Sequence, residues 1–594
     1  MLTIDATGDN SNTAGSGIIV SNAAGTTINA NVGLGANQTW TVGSGAALTV
    51  NGAITDFGVG YSLTKDGTGS LTLTGANTFS GGLTLKAGTV TVGYTTAAIP
   101  TLGSGTVTLG DSTGNANVTL NANASTWQAT FANPISVASG NTGTATIGAL
   151  NQWTTTFSGP ITLHSHDLVL QANAVNNGGL KTTGAITSDG TGGNLTLNGN
   201  NSLGGNWFGG YMMIDVGTSI NISGTITRSG TGTSVTKISG NIGANVTSVI
   251  QNAPGGLFLT GNNSSFVGSI WVKNSTLGIG SATALGGASS LKLGDDSVAN
   301  SNAVQFRMFS GVASSVNITL ADRVTYTGTI TIGSGDGSGP TYGGIITGNN
   351  DFVLGGLNNQ AATTTLSGTI NNNGTVSNTD SINTPGYTIS GTLGANVTGV
   401  IQNSAVAPMT LSGDNPFAGT ALVSAGTLRL NQTNTLKNAT LDTGTSGAQQ
   451  VTFVAGGTRT YNLGGLAGAD DLAISTNSIA VRSRLAPGRL GVGTLTVTGT
   501  GAVTLGTGVT VEIEVGGGMV DRLDVPAGTL VLPATATVTV SGTGTLPSPA
   551  VILSAATLTG DVTGWTVTPG YKVKKDGNTV ILEPKTRGAI IIVQ

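Results

Sequence analysis

The sequence predicts an all-β protein, a parallel β-helix (β-solenoid), from three observations: short runs alternating apolar residues with threonine, abundant turn-forming glycine, and internal repeats at uneven spacing. The runs include Leu71-Thr72-Leu73-Thr74, Leu83-Thr84-Leu85, Thr89-Val90-Thr91-Val92, Thr494-Leu495-Thr496-Val497 and Val538-Thr539-Val540. Their period of two buries one face and wets the other. The chain holds 97 Gly in 594 residues and is 8% charged, against about 7% Gly and roughly 25% charged residues in an average globular chain. No long window carries apolar residues at i, i+3, i+4 and i+7, so helices are not expected.

Composition narrows the classes further. The 97 Gly and 15 Pro stay below the roughly 25–30% that marks low-complexity disorder, and a net charge of −4 is too small for a disordered polyelectrolyte. A single core stops growing at roughly 250–300 residues, so a chain of 594 needs several domains or a stack. With 4% aromatics, a stack of Val, Ile, Leu and Ala rungs suits it better than ring-filled cores. The absence of Cys excludes a disulfide framework and a thiolate metal site. No run of 18 apolar residues encodes a transmembrane helix, and no basic stripe suggests a nucleic-acid partner. The start, Met1-Leu2-Thr3-Ile4-Asp5, lacks the basic and apolar regions of a signal peptide, which leaves a removed leader or a fragment as expectations.

Repetition decides between a sandwich, a propeller and a solenoid. Leu71-Thr72-Leu73-Thr74-Gly75-Ala76-Asn77-Thr78-Phe79-Ser80-Gly81 returns as Met409-Thr410-Leu411-Ser412-Gly413-Asp414-Asn415-Pro416-Phe417-Ala418-Gly419. In register with it, Ala87-Gly88-Thr89-Val90 returns as Ala425-Gly426-Thr427-Leu428. Looser copies begin at Leu195 and Leu257, and Ile238–Asn252 returns as Ile389–Asn403, each ending in Val-Ile-Gln-Asn. Propeller blades must be equal to close a ring. An open stack tolerates uneven spacing because insertions bulge outward. Leu71, Leu73, Leu83, Leu85 and Val90 are expected to point inward. Gly75, Asn77 and Phe79, like Gly413, Asn415 and Phe417, are expected at a corner, with the asparagine bonding its counterpart in the next coil or exposed as an ordinary turn residue. Phe79, Phe266 and Phe417 are expected to plug the core beside it.

At these residues the sequence resembles the autotransporter-associated β-strand repeat, also called the passenger-associated transport repeat. Its Leu-Thr-Leu strand, Gly-x-Asn-x-Phe corner and closing Ala-Gly-Thr-Leu strand are met by Leu71–Val90 and Met409–Leu428. Ala486-Pro487-Gly488, Leu495-Thr496-Val497 and Asp521-Arg522-Leu523-Asp524-Val525 resemble the module that closes many such passengers. The resemblance implies a right-handed parallel β-helix exported across a Gram-negative outer membrane, with repeats that assist transport and carry no catalytic residues. A full autotransporter ends in a membrane barrel; the ending Gly588-Ala589-Ile590-Ile591-Ile592-Val593-Gln594 leaves as expectations a passenger alone or a free-standing relative delivered by another route.

Candidate chemistry is sparse. Gly110-Asp111-Ser112-Thr113-Gly114 matches a nucleophile elbow, but no helix is expected after it. His164 and His166 would share a strand face near Asp167, a weak metal pattern. Gly465–Asp471 is off by one residue from a calcium-binding nonapeptide, and Gly333–Gly339 lacks the Lys of a phosphate loop. Glu512 and Glu514 share a strand face without an evident partner. Trp207, Phe208 and Tyr211 would favour glycan binding if exposed. No cofactor, metal or catalytic residue is assigned.

The expected organisation is a solenoid over residues 1–480, a β-rich closing module over 481–584, and a C-terminal strand or tail over 585–594. Residues 481–594 carry nine Lys and Arg against seven acids, so a mildly basic end meets an acidic body. Ala589, Ile590, Ile591, Ile592 and Val593 form a β-prone run that could pair with another subunit, giving a homo-oligomer or head-to-tail polymer. The expected function is an extracellular, non-enzymatic subunit of a cell-surface filament, sheath or surface layer. The alternative is a monomeric adhesin that binds surface glycans or cells.

Overall fold

In the computed structural model the alternating runs become short strands joined by tight corners, and no helix occurs among the described residues. The structure describes all residues except 9–12, 95–100, 125–127, 151–152, 174–177, 191, 202–212, 337, 358–361, 383, 446, 448–449, 455–456, 489–490 and 586–594. The chain is an all-β solenoid that forms two compact units, one of residues 1–295 with 302–307, the other of residues 296–301 with 308–594.

In the first unit each coil lays its strands in parallel on the coil before. One interior column runs Leu48, Leu71, Val90, Leu120, Ile147, Leu170 and Leu197, each the register partner of the next. All are fully or almost fully buried, and full burial of such a side chain contributes roughly 1.5–3 kcal/mol. Nineteen residues separate Leu71 from Val90 but thirty separate Val90 from Leu120, so loops absorb the unequal coil lengths. The alternate positions face outward: Thr39, Thr64, Thr84, Thr108, Ser136, Thr162 and Thr187 form one half-exposed hydroxyl column.

The second unit follows the same rule. Val376, Val400, Ala421, Leu441, Leu466, Leu485, Val511 and Val538 are buried and pair in succession. Apart from an isolated antiparallel bridge between Gly468 and Gly488, antiparallel pairing enters with the hairpin of Val509–Gly516 and Met519–Val520. It returns where Thr579–Pro584 pairs with both Val551–Thr559 and Tyr571–Asp576.

At the corners the ladder breaks and backbone groups need other partners. Asparagine and aspartate oxygens supply them across successive coils: Asn31 accepts from Ala53 N, Asn117 from Thr144 N, Asn194 from Thr225 N and Asn317 from Ile345 N, at 2.8–3.0 Å. This bonding accounts for much of the asparagine in a chain with so few charges.

Candidate functional site: the repeat corners and the interior clamps

The two clear repeats build the same corner. Asn77 and Asn415 are 3% and 1% exposed. Asn77 Oδ1 accepts Ile54 N at 2.9 Å, and Asn415 Oδ1 accepts Leu393 N at 2.8 Å. In the looser copy Asn263 Oδ1 accepts Ile242 N at 2.7 Å. The amide nitrogens of Asn263 and Asn415 reach forward to Ala284 O and Thr435 O. Each corner asparagine thus bonds the backbone of a neighbouring coil. Phe79, Phe266 and Phe417 lie fully buried in the corresponding corners.

Glycine at the corner answers to close approach. A Cβ on Gly75 would sit 2.3 Å from Gly52 O, and one on Gly413 would sit 2.6 Å from Gly391 O. Neither has the positive φ that turn chemistry alone would suggest. Positive φ belongs instead to Gly88 and Gly426, equivalent positions at +75° and +69°. Beside the first corner Asp56 is almost fully buried. Burial opposes its charge, but hydrogen bonds from Ser80 N and Oγ, Gly58 N and Gly60 N hold the carboxyl far below the usual range.

A second device is not evident from the sequence. Gln251 and Gln402, the glutamines of the two Val-Ile-Gln-Asn copies, point inward and are fully buried. Gln251 Nε2 donates to Ala253 O, Gly255 O and Asn274 O; Gln402 Nε2 donates to Ser404 O and Ala407 O. Gln402 clamps the bulged stretch after it within the strand Gly399–Leu411, and Gln251 clamps the bend that follows its strand. Lys65 does so with a cation, its Nζ donating to Asp66 O, Gly67 O and Ala87 O. Burial pushes that ammonium down to about 8, against the pull of Asp66. The signal in the sequence was the exact return of a polar residue at one register position.

The remaining candidates that fall on described residues take part in turns and contacts between coils. Ser112 is an exposed turn residue whose N–H bonds Asp111, and Asp111 pairs with Lys86 at 3.3 Å. His164 and Ser165 both have positive φ in a turn closed by His166 N to Leu163 O, so the histidines do not share a strand face. His164 pairs with Asp189, His166 Nδ1 lies 2.7 Å from Asp167 O, and Asp167 accepts from Asn194. Gly465–Gly468 belongs to the strand Thr460–Gly468. Asp336 ties Gly333–Gly339 to the preceding coil through Ser310 N. Among the described residues no group of three or more His, Asp or Glu could hold a metal. Trp207, Phe208, Tyr211 and Ala589–Val593 lie outside the described residues.

Glu512 does have a partner: Arg484 grips it with Nε at 2.8 Å and Nη2 at 2.7 Å, and this contact raises the guanidinium's pKa. Glu514 N donates to Asp521, as does Gly493 N, both at 2.8 Å. Burial pushes the Asp521 carboxyl up to about 6 despite those bonds. A Cβ on Gly488 would lie 2.2 Å from Asp521 Oδ1, and Leu495 pairs with Leu523. Ala486–Gly488 and Asp521 thus share one crevice with Arg484, Glu512 and Glu514, while Leu495 and Thr496 pair with Leu523 and Asp524 in the strand ladder.

Comparison with known proteins agrees with this geometry. Neither curated proteins nor solved structures give a match. The family model described as Passenger-associated-transport-repeat matches residues 63–92 and 409–430, the two segments that hold Asn77 and Asn415. The chain is therefore an all-β solenoid bearing two passenger-associated transport repeats, similar in this to autotransporter passengers.

Proposed function

We propose that the protein is a non-catalytic structural solenoid of the bacterial cell surface, whose copies assemble into a filament, sheath or surface layer. The observation that carries this reading is the use made of its reactive side chains. Asp111, Asp56, Glu512, Gln251 and Gln402 are committed to holding turns and coils together. A catalytic group must instead reach a reacting atom within a shared pocket. The run Ala589–Val593 supports assembly by strand donation, since apolar β-prone segments add readily to a sheet edge.

Negative-stain electron microscopy of the purified chain, with and without residues 588–594, tests this. Filaments or lattices lost on truncation support assembly through the tail. Assemblies that survive truncation remove the donor strand. Single particles in both samples would reject assembly and favour an adhesin.

A further inference from the structure

The second unit contains a basin of about 880 Å³ between residues 561–567 and the hairpin strand Tyr571–Asp576. That volume lies within the roughly 300–1,000 Å³ of ordinary ligand sites. Lys572, Lys574, Lys575 and Lys585 line it, with Asp561 the one carboxylate among its lining residues. The chain as a whole carries a net charge of −4, so this basin is a local inversion of sign. We propose that it binds an acidic polysaccharide, a chain of sugar rings bearing carboxylate or sulfate groups.

The lysines do not play one part. Glu583 pairs with Lys572 at 2.9 Å and also feels the charge of Lys574, so the four lysines outnumber Glu583 and Asp561 and leave the basin net positive. Lys575 is fixed at the rim, its Nζ donating to Leu558 O at 3.1 Å and Gly560 O at 2.8 Å. Trp565 is 8% exposed and anchored by Nε1 to Pro533 O at 3.0 Å, so it makes a stiff floor. Tyr571, half-buried, lines the same basin and supplies an aromatic ring of the kind that packs on sugars.

Other occupants fit less well. Three lysines among the six residues of Tyr571–Asp576 disfavour addition of a further β-strand, the usual effect of charge on a strand edge. An anionic bilayer is flat and would not follow a concavity. A nucleic acid gains its affinity from many phosphate contacts along a basic track, whereas these cations are gathered in one basin. A narrow, flexible polyanion satisfies both shape and charge. The proposal rests on the surface reading only for the supply of such polymers.

The test is titration of the full chain with polygalacturonate and dextran sulfate, beside neutral dextran, anionic phospholipid vesicles and single-stranded DNA. At least one acidic polysaccharide should bind and neutral dextran should not. Binding should weaken as salt rises from about 50 to about 500 mM. Combining Lys574→Glu with Lys585→Glu should lower affinity by about tenfold or more, while leaving the circular dichroism spectrum unchanged. Tyr571→Ala should cost a smaller factor, about threefold. Equal affinity in the double charge variant, or tighter binding to vesicles or DNA than to either polysaccharide, overturns the proposal. Assembly is scored in the same samples by microscopy, so a failure to polymerise and a failure to bind are read separately.

Discussion

Asn415 Oδ1 accepts the backbone N–H of Leu393, 22 residues earlier, at 2.8 Å, while its Nδ2 donates to the carbonyl of Thr435, 20 residues later, at 3.1 Å. One side chain thus joins three coils where the strand ladder is interrupted. The bond counts because Leu393 is fully buried and its N–H could not turn to water instead. Asn415→Ala should cost about 1–3 kcal/mol, the penalty for a buried polar group left unmade. A stacked repeat opens coil by coil, so hydrogen exchange at Leu393 is the sharper readout and should speed up locally. Asn431→Ala, at an exposed position whose side chain reaches Ser412 at 3.4 Å, should change stability by less than about 0.5 kcal/mol.

Gly426 combines a φ of +69° with a Cβ position 1.9 Å from Ser404 O. Gly457 has a similar φ, +79°, but no atom of the described residues beyond its chain neighbours within 4 Å of its Cβ position. Gly457→Ala should therefore show only the left-handed backbone penalty of about 1–2 kcal/mol. Gly426→Ala adds a collision with backbone, which has nowhere to move between stacked coils. It should open the coil containing Thr427–Leu430 and lower the yield of folded protein well below that of Gly457→Ala. Limited proteolysis of the two variants, side by side, checks the order.

The fold was legible because alternation with a period of two fixes which residues face inward. Leu71, Leu73 and Val90 are buried in one parallel wall, and Thr72 faces out. What alternation could not show is why some inward positions are polar. Ile250 stands between Val249 and Gln251, and the pleat turns the isoleucine outward and the glutamine inward. The reason lies in the turn carbonyls of Ala253 and Gly255, whose positions exist only once the coil has closed. Gly75 is a similar case. A turn glycine suggests a positive φ, yet the constraint is the backbone of Gly52 in the coil beneath. The crevice around Asp521 was hidden for the same reason, since stacking alone brings residue 488 to residue 521.

Asp56 sets a pH dependence of known sign. Its folded pKa lies far below the unfolded value of about 3.8, because the hydrogen bonds from Ser80, Gly58 and Gly60 outweigh the burial that opposes them. A depressed carboxylate contributes stability that is fully present above its unfolded pKa and is lost as pH falls toward the folded value. The first repeat should thus hold at pH 5 and loosen progressively below about pH 4. Amide exchange at Gly58, Gly60 and Ser80, corrected for intrinsic rates, should report it. In Asp56→Asn the same amides should be less protected at pH 6 and should lose most of this acid dependence.

Arg228 sits in the interior column of the first unit between Leu197 and Gln251 and is fully buried. Burial pushes its guanidinium down to about 10. Its Nη2 reaches Ser234 O at 3.2 Å and Gly232 O at 3.4 Å, while Nε and Nη1 have no hydrogen-bond partner among the described residues, nor does Gln251 Oε1 beside them. A buried charge with three of its five N–H donors unmet is a net cost, and an apolar side chain of similar length removes it. Arg228→Met should stabilise this coil by about 1–3 kcal/mol, with slower exchange at Ile226 and Val249, because two long hydrogen bonds weigh less than desolvating a cation. Gln251→Leu should do the reverse, since its amide makes three bonds at 2.6–3.1 Å to turn carbonyls that would otherwise stay buried and unpaired. Should Arg228→Met destabilise the coil instead, the guanidinium must be satisfied by an interior water that accepts from it and donates to Gln251 Oε1, or by an anion held at the guanidinium alone. A chloride dependence of the exchange rates, present in the parent and absent in the variant, would then distinguish the anion from the water.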